Sequence, residues 1–442
     1  MHSQATHIHS KVRQMHDAEP YPNIPIATLP EDNLVDLYLY NLVTSYYLRN
    51  HQIIQTEGKV ILDAGCGTGY KCLNLAFANP GAKIVGIDFS EPSIEIARER
   101  LQYHNIADAE FHVLALEELP SLGLQFDYIN IDEVLYFLPD PVAGLQAAKS
   151  VLRPDGIIRT NFHSSLQRFV YYRAQELFSL LGLTNNSPDK AEFDLTRGIM
   201  YALKEDVFLK NMIWKPQFET DDQLLLQNYL NRGDTGWTIP QLFSVLRDAD
   251  LEFISMVNWW QWDLTQLFQN FDDLPVDFMI RLAEMSTEEQ LHLFELFHPI
   301  HRLLDIWCGH PDAASSSVPV FQWTVEQWQQ AMVHLHPQFC TPMIREEIVE
   351  AITQHHAFDL GRHFRMTNDP VTLDSTIAAC LLPLIEAPQP MLALVHRWQQ
   401  LQPLHPLTLE AVPEWEVFDR IKDLLVFLEE LGYVLLETSH AL

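Results

Sequence analysis

Short apolar runs recur through the first 163 residues, and several close on an acid or a turn before a stretch with helical spacing. The run at 59–63 ends in Asp63, and "AKIVGIDFS" (82–90) holds a run that ends in Asp88. Strand-like runs follow in "AEFHVLALEELP" (109–120), "FDYINIDEVLYFLPDP" (126–141) and, after a Pro154–Gly156 turn, at the end of "LQAAKSVLRPDGIIRTNFH" (145–163). Between the second and third runs, residues 91–105 place Ile94, Ala97 and Leu101 on one face, with Ser90 as N-cap and Pro92 in the first turn. Strands alternating with helices predict an α/β core built on a mostly parallel sheet.

Outside this core the pattern changes. "LVDLYLYNLVTSYYLR" (34–49) reads as a tyrosine-rich helix ahead of the first strand. Residues 164–234 are mostly helical in pattern, from "QRFVYYRAQELFSLLGL" (167–183) to "DDQLLLQNYL" (221–230). Residues 235–262 then supply a helix capped by Thr238 with Pro240 in its first turn, and a strand at 251–258. The sequence therefore divides into an N-terminal segment (1–50), a core (51–163), a helical insertion (164–234), the last helix and strand of the core (235–262), and a C-terminal domain (263–442). The C-terminal domain reads as helices joined by Pro-rich loops. Thr324 and Gln327 form a capping box, and 413–437 reads as a helix stopped at Gly432 and followed by a strand, as in a winged-helix-like module.

The candidate chemistry lies in "ILDAGCGTGYK" (61–71), where Gly65, Gly67 and Gly69 follow the first strand. A P-loop needs G-x-x-x-x-G-K-[ST], and Lys71 has neither the glycine before it nor a hydroxyl residue after it. A dinucleotide turn needs G-x-G-x-x-G, which this turn also lacks. On the glycines alone an ordinary tight strand-to-helix turn remains open. The pattern D-x-G-x-G-x-G, with the elements that follow in order, resembles motif I of the class I S-adenosylmethionine (SAM)-dependent methyltransferases, small-molecule enzymes such as those of quinone biosynthesis among them. The resemblance covers roughly residues 58–163 and 235–258.

It implies a Rossmann-like doubly wound α/β sheet with a helical cap insertion and a mostly helical C-terminal domain. It also implies S-adenosyl-L-methionine as cofactor. Gly65, Cys66, Gly67 and Gly69 would lie against the methionine end, with Asp63 beside its ammonium and Cys66 as a small filler. Asp88 would hold the ribose diol, with Phe89 and Ser90 next to it and Phe89 packing on the adenine face. The acid that often reads the adenine amino group is replaced here by Ala115 or Leu116, so Leu116 and Glu117 become the adenine-side candidates. The turn after the fourth strand would lie beside the transferred methyl and reads Asp132, Glu133, Val134, Leu135, Tyr136. Asp132 is assigned to the cofactor. Glu133, and His163 at the end of the fifth strand, are the candidate bases. Tyr136, with Tyr171, Tyr172 and Arg173 in the insertion, are expected to line the acceptor pocket, as are Trp259, Trp260 and Trp262. The helix at 34–49 would cover the cofactor, and the insertion would act as a cap over the ligand crevice.

Charge narrows the substrates. The chain carries 59 Asp and Glu against 28 Lys and Arg, a net charge of −31, and residues 263–442 alone hold 26 acids and 8 Lys or Arg. Such a surface repels phosphate backbones, so nucleic acid is not the expected partner. Tyr136 and Phe137 stand where metal-dependent RNA-end methyltransferases carry the last ligands of E-x-x-E-H, so no metal is expected. "HLHPQFC" (334–340) offers His334, His336 and Cys340 but lacks a second ligand pair for zinc. Five scattered cysteines, no 20-residue apolar run and no signal-like N-terminus fit a cytoplasmic protein without a membrane span. The expectation is a metal-independent methyltransferase (EC 2.1.1 class) acting on the N, O or C atom of a small-molecule acceptor, with a homodimer through the C-terminal domain. Two alternatives stand beside it: a protein or peptide methyltransferase that uses that domain for recognition, and a SAM-binding regulator without catalysis.

Overall fold

The computed structural model describes residues 20–30, 34–184, 190–231, 234–311, 313, 318–364, 367 and 370–438. Its centre is a seven-stranded sheet of β1 (Val60–Ala64), β2 (Lys83–Asp88), β3 (Ala109–Val113), β4 (Phe126–Ile131), β5 (Leu152–His163), β6 (Glu252–Met256) and β7 (Leu303–Gly309). The order across the sheet is β3-β2-β1-β4-β5-β7-β6. The first five strands pair in parallel, and β7 runs antiparallel to both β5 and β6. This is the doubly wound α/β fold expected from the sequence.

The strands are buried on both faces, so they read as nearly continuous apolar runs. Successive side chains still part company. Ile61, Ile84, Tyr128 and Trp307 enter one core with Leu73, Ile94 and Leu101, whereas Leu62, Val85, Ile129 and Ile306 enter the other with Leu145 and Leu242. Strand order reverses between β1 and β4, which opens a crevice at the C-terminal ends of these strands.

One domain boundary is corrected. The core was expected to be complete at residue 262, but β7 lies 40 residues further on and is clamped between β5 and β6. Its seven residues carry no helix–turn context resembling the earlier strands, and only the free edges of β5 and β6 specify where it pairs.

The described residues between 164 and 234 are mostly helical and share a core of Val170, Phe178, Met200, Phe218 and Tyr229. Beyond β7, Met332–Leu335 pairs antiparallel with Gln389–Pro390 on one side and Val434–Glu437 on the other. The helix Glu414–Glu430 buries Val417, Ile421, Leu425 and Leu428 against that unit, with Phe418 partly buried beside them. Gly432 follows at φ 76°, and the Thr324 capping box is present.

The helix expected over 34–49 is two helices, Leu34–Tyr40 and Leu42–Asn50, broken at Asn41, whose side chain caps the second. They tie the C-terminal unit to the core. The Tyr38 hydroxyl donates to the Gly432 carbonyl at 2.9 Å, Thr44 pairs with His336 at 2.9 Å, and Tyr47 donates to Glu429 at 2.9 Å.

Candidate functional site

β1 runs straight into the glycine turn. Gly65, Gly67 and Gly69 all have positive φ, at 77°, 51° and 81°, a region costly for residues with a Cβ. Each also meets protein closely. A Cβ on Gly65 would overlap Val134, one on Gly67 would fall on the Tyr21 carbonyl oxygen, and one on Gly69 would stand 2.8 Å from Ala97. The segment around Tyr21 is thus strapped over the turn. Thr68 donates to the Tyr21 carbonyl from its N–H and to the Pro22 carbonyl from its hydroxyl, and the buried Arg100 donates to the carbonyls of Ile24, Pro25 and Thr68. Nothing in the sequence pattern indicated this strap.

The helix Tyr70–Ala78 begins at Gly69 with no side chain capping its first turn, which suits an anionic group such as a carboxylate. At the end of β2, Asp88 accepts from the N–H of Gly67 at 3.0 Å and of Ser90 at 2.9 Å, so its carboxylate is oriented by the turn beside it. Ser90 caps the helix Glu91–Tyr103 as expected. Cys66 is buried, with its sulfur against the Gly86 position. Asp63 is almost fully buried, accepts from Asn130 at 2.8 Å and from the Cys72 thiol at 3.2 Å, and burial pushes its carboxyl above the usual range. These contacts hold the carboxylate against β4 and the helix that starts at Tyr70.

The edge formed by β4 and β5 carries a denser set of charges. Asp132 pairs with Lys71 at 2.6 Å, accepts from the Tyr40 hydroxyl at 3.1 Å and is held by the Asn161 amide. Burial opposes its charge, but Lys71 and Arg159 together hold its carboxyl well below the usual carboxylate range. Arg159 in turn pairs with Asp305 of β7 at 2.8 Å and stacks over the Tyr40 ring at 4.6 Å. Tyr40 thus brings the N-terminal helix over this end of the crevice.

Glu133 sits at φ 61° with its N–H fixed on Asn161 at 2.9 Å, and its carboxylate is committed to Arg302. Arg302 also donates to Nε2 of His163 at 3.1 Å, and His163 Nδ1 lies 2.6 Å from Asp234. The Tyr136 ring stacks on His163 with centroids 4.1 Å apart. Glu133, Tyr136 and His163 are therefore brought together, as expected.

Several assigned residues fall elsewhere. Tyr171, Tyr172 and Arg173 are consecutive on one helix, so their side chains diverge by about 100° each. Tyr172 reaches Asp234 at 3.4 Å, whereas Tyr171 packs on Tyr229 inside the cap and Arg173 lies outside over Phe169 and Phe208. Only Tyr172 of the three approaches the crevice. Trp259 packs on Tyr38, and Trp262 stacks on His301 within the core, so this aromatic row is packing. Leu116 is buried in the sheet core and Glu117 is exposed beside it. His334 pairs with Glu437 and His336 with Thr44; among the described residues no group of three or more His, Cys, Asp or Glu is arranged to hold a metal ion.

Lys71, Arg159, Asn161, Asp234, Arg302 and Asp305 were not singled out from the sequence. Lys71 was visible as the cation directly after the turn. Asp305 lies in β7, Arg302 just before it and Asp234 at the end of the insertion, and only the fold brings them to this edge.

A methyltransferase-domain family model matches residues 55–206. The ubiquinone biosynthesis O-methyltransferase of Coxiella burnetii (strain Dugway 5J108-111) is 30% identical over 169 residues, covering 37% of this chain and 68% of that enzyme. The enzyme of the same name from Neisseria meningitidis (strain DSM 15465 / Z2491) is 37% identical over 103 residues, and the chain spans 42% of its length. The protein syc1184_c of Synechococcus sp. is 26% identical over 317 residues, covering 71% of this chain and 73% of that protein. Among solved structures, PKMT2 from Rickettsia typhi in complex with AdoHcy shares the fold over 95% of this chain and 78% of its own, with a TM-score of 0.61 at 15% identity. With the glycine turn, the oriented acid of β2 and these relatives in agreement, the chain belongs to the class I SAM-dependent methyltransferases.

Proposed function

We propose that the protein methylates a small-molecule acceptor, held at the β4–β5 edge beneath the helical cap. The observation that carries this reading is the enclosure of that edge. Tyr136, His163 and Asp132 are each no more than 9% exposed, and the polar groups that face them are already matched to one another. Such a site favours a compact acceptor that replaces a few of those contacts over an extended chain. A cleft of about 390 Å³ in the cap itself, lined by Ser165, Tyr172, Gln175, Asn231 and Asp234 among others, reaches the carboxylate that pairs with His163.

In this reading the uncapped helix start at Gly69 takes the methionine carboxylate and Asp88 takes the ribose hydroxyls, with Phe89 beside the adenine. The turn after β3 passes the adenine side with Glu117 exposed and Leu116 turned into the core. SAM supplies a methyl group already activated on a sulfonium, so the chain's own task is to align the nucleophile, exclude water and remove a proton where one is present. Asp132, tied to Lys71, Tyr40 and Asn161, fixes the floor of the edge. Glu133 is the weaker of the two candidate bases because its carboxylate is held in a close ion pair by Arg302, whereas the contact of the same guanidinium to His163 Nε2 is longer, at 3.1 Å.

Incubation with SAM carrying a labelled methyl group and a whole-cell extract, split afterwards into a small-molecule filtrate and a protein fraction, tests the reading. Label in the filtrate supports it. Label confined to protein would transfer the assignment to a protein acceptor, and SAM binding with label in neither fraction would make the chain a binder without catalysis.

A further inference from the structure

Asp234 belongs to the end of the cap, yet its carboxylate lies against the core. Its side chain is fully buried, and three donors converge on it: His163 at 2.6 Å, Arg168 at 3.0 Å and the Tyr172 hydroxyl at 3.4 Å. A carboxylate beside two cationic or hydroxylic donors accepts hydrogen bonds, so the proton on the 2.6 Å contact sits on His163 Nδ1. The opposite nitrogen, Nε2, is then the acceptor. It is met by a guanidinium, Arg302 Nη1 at 3.1 Å, which can only donate. Both contacts require the same tautomer.

The groups facing this ring come from three places. Tyr136 stacks on it from the turn after β4, and Arg302 covers Nε2 from the start of β7. Asp234 and Tyr172 come from the cap, with Arg168 behind them, and Glu133 bears on the ring through Arg302. Burial and the two guanidinium charges disfavour the imidazolium, Asp234 favours it, and the balance leaves the ring below its ordinary value. His163 is therefore neutral near pH 7, with its basic nitrogen directed at the edge where Glu133 and Arg302 meet.

We propose that Asp234 is a positioning residue that sets the His163 tautomer, and that His163 acts as general base toward an acceptor whose nucleophile is an acidic hydroxyl, such as a phenol. The inference rests on the small-molecule reading above. The acceptor hydroxyl takes the place of Arg302 at Nε2 and gives its proton to that nitrogen. Its oxygen forms the new bond to the methyl carbon as the methyl–sulfur bond breaks, with that electron pair left on sulfur. Asp234 balances the imidazolium that results. Arg302, still tethered by Glu133, stabilises the charge gathering on the acceptor oxygen. A protonated amine at Nε2 would meet the Arg302 guanidinium, which disfavours an N-acceptor.

The test uses the full chain with ¹⁵N-labelled histidine, the His163 signals being assigned by their loss in His163→Gln. The wild type is expected to show Nδ1–H with an unprotonated Nε2 and to titrate below about 6.5, the ordinary value. Asp234→Asn keeps the size and removes the charge. SAM affinity should hold, the Nδ1–H preference should be lost, and the His163 titration should move to lower pH. Transfer of labelled methyl into a small-molecule filtrate should fall about 10²-fold, with the acid limb of its pH profile displaced in the same direction. If Asp234→Asn does not fold, Tyr172→Phe is read in its place: it removes a competing donor from the same Asp234 oxygen, so the Nδ1–H tautomer should be kept and the titration should move slightly to higher pH. An Nε2–H or cationic ring in the wild type, or an unchanged tautomer and titration in Asp234→Asn, would overturn the positioning role. Wild-type label appearing in N-methylated products would overturn the hydroxyl class while leaving the small-molecule reading intact. Absence of label from the filtrate would overturn that reading itself, and the tautomer would then decide the Asp234 role alone.

Discussion

Cutting the chain after residue 262 removes β7, and the structure gives the size of the loss. Leu304, Ile306, Trp307 and Cys308 are each fully buried, distributed between the two cores that flank the sheet. Burying a large apolar side chain is worth about 1.5–3 kcal/mol, so the three largest alone account for roughly 5–9 kcal/mol. A domain of this kind is stable by about 5–15 kcal/mol in total. The cut also takes from Arg159 its 2.8 Å partner Asp305, leaving it with the charge of Asp132 and the Tyr40 ring. The fragment 1–262 is therefore expected to be unfolded or insoluble. A fragment 1–311 keeps the whole sheet and the Arg159–Asp305 pair. It should fold and bind SAM more weakly, because the helices over 34–50 lose their contacts to Gly432, His336 and Glu429. Circular dichroism melting and SAM calorimetry on both fragments decide the matter. A cooperatively melting 1–262 fragment that binds SAM would refute the argument and restore the boundary at 263.

The same strand marks how far the sequence could be read. β1 to β5 repeat one local rule: an apolar run, a turn at its C-terminal end, and a return helix. Most of these elements therefore announced themselves, down to the Ser90 cap, although the Pro154–Gly156 turn expected ahead of the fifth strand lies within β5. β7 obeys no local rule. Its pairing depends on two edges contributed by residues 152–163 and 252–256, and hydrophobic periodicity carries no information about such distant partners. The site divides in the same way. Gly65, Gly67, Gly69 and Asp88 lie at fixed offsets from strand ends and were legible. Glu133 and His163 were legible as groups at an edge, but their partners Arg302 and Asp234 come from elsewhere in the chain, and a base is defined by its partners. The glycines hold a further lesson. Steric reasoning assigned their missing Cβ atoms to cofactor approach, whereas those positions face Val134, Tyr21 and Ala97.

Three further substitutions and one pH measurement follow from these contacts. Gly67→Val places a β-branched residue at φ 51° and against the Tyr21 carbonyl, so SAM binding should be lost and cleavage near Tyr21 in limited proteolysis should accelerate; an intact strap with full affinity would contradict it. Asp88→Ala should weaken SAM binding by about 1–3 kcal/mol, roughly 5- to 150-fold in Kd by calorimetry. Glu133→Gln releases Arg302 without emptying the base position, so turnover should fall less than in His163→Gln at unchanged SAM affinity. A loss of about 10²-fold with an altered pH profile would return the base role to Glu133. The pH dependence of stability tests the Asp132 cluster, and its sign follows from the direction of the shift. Lys71 and Arg159 depress the Asp132 carboxyl despite its burial, so the folded chain binds that proton less readily than the unfolded chain. The resulting stabilisation is complete above the unfolded value of about 3.9 and is lost as pH falls from there through the lower folded value. Melting temperatures measured from about pH 6 to pH 3 should therefore fall in the acid part of the range for the wild type. Asp132→Asn has no such carboxyl to protonate, and it leaves Lys71 and Arg159 without their shared partner at every pH. The variant should start less stable and show a shallower acid limb, and an equal slope in the two proteins would remove Asp132 as a source of the acid sensitivity.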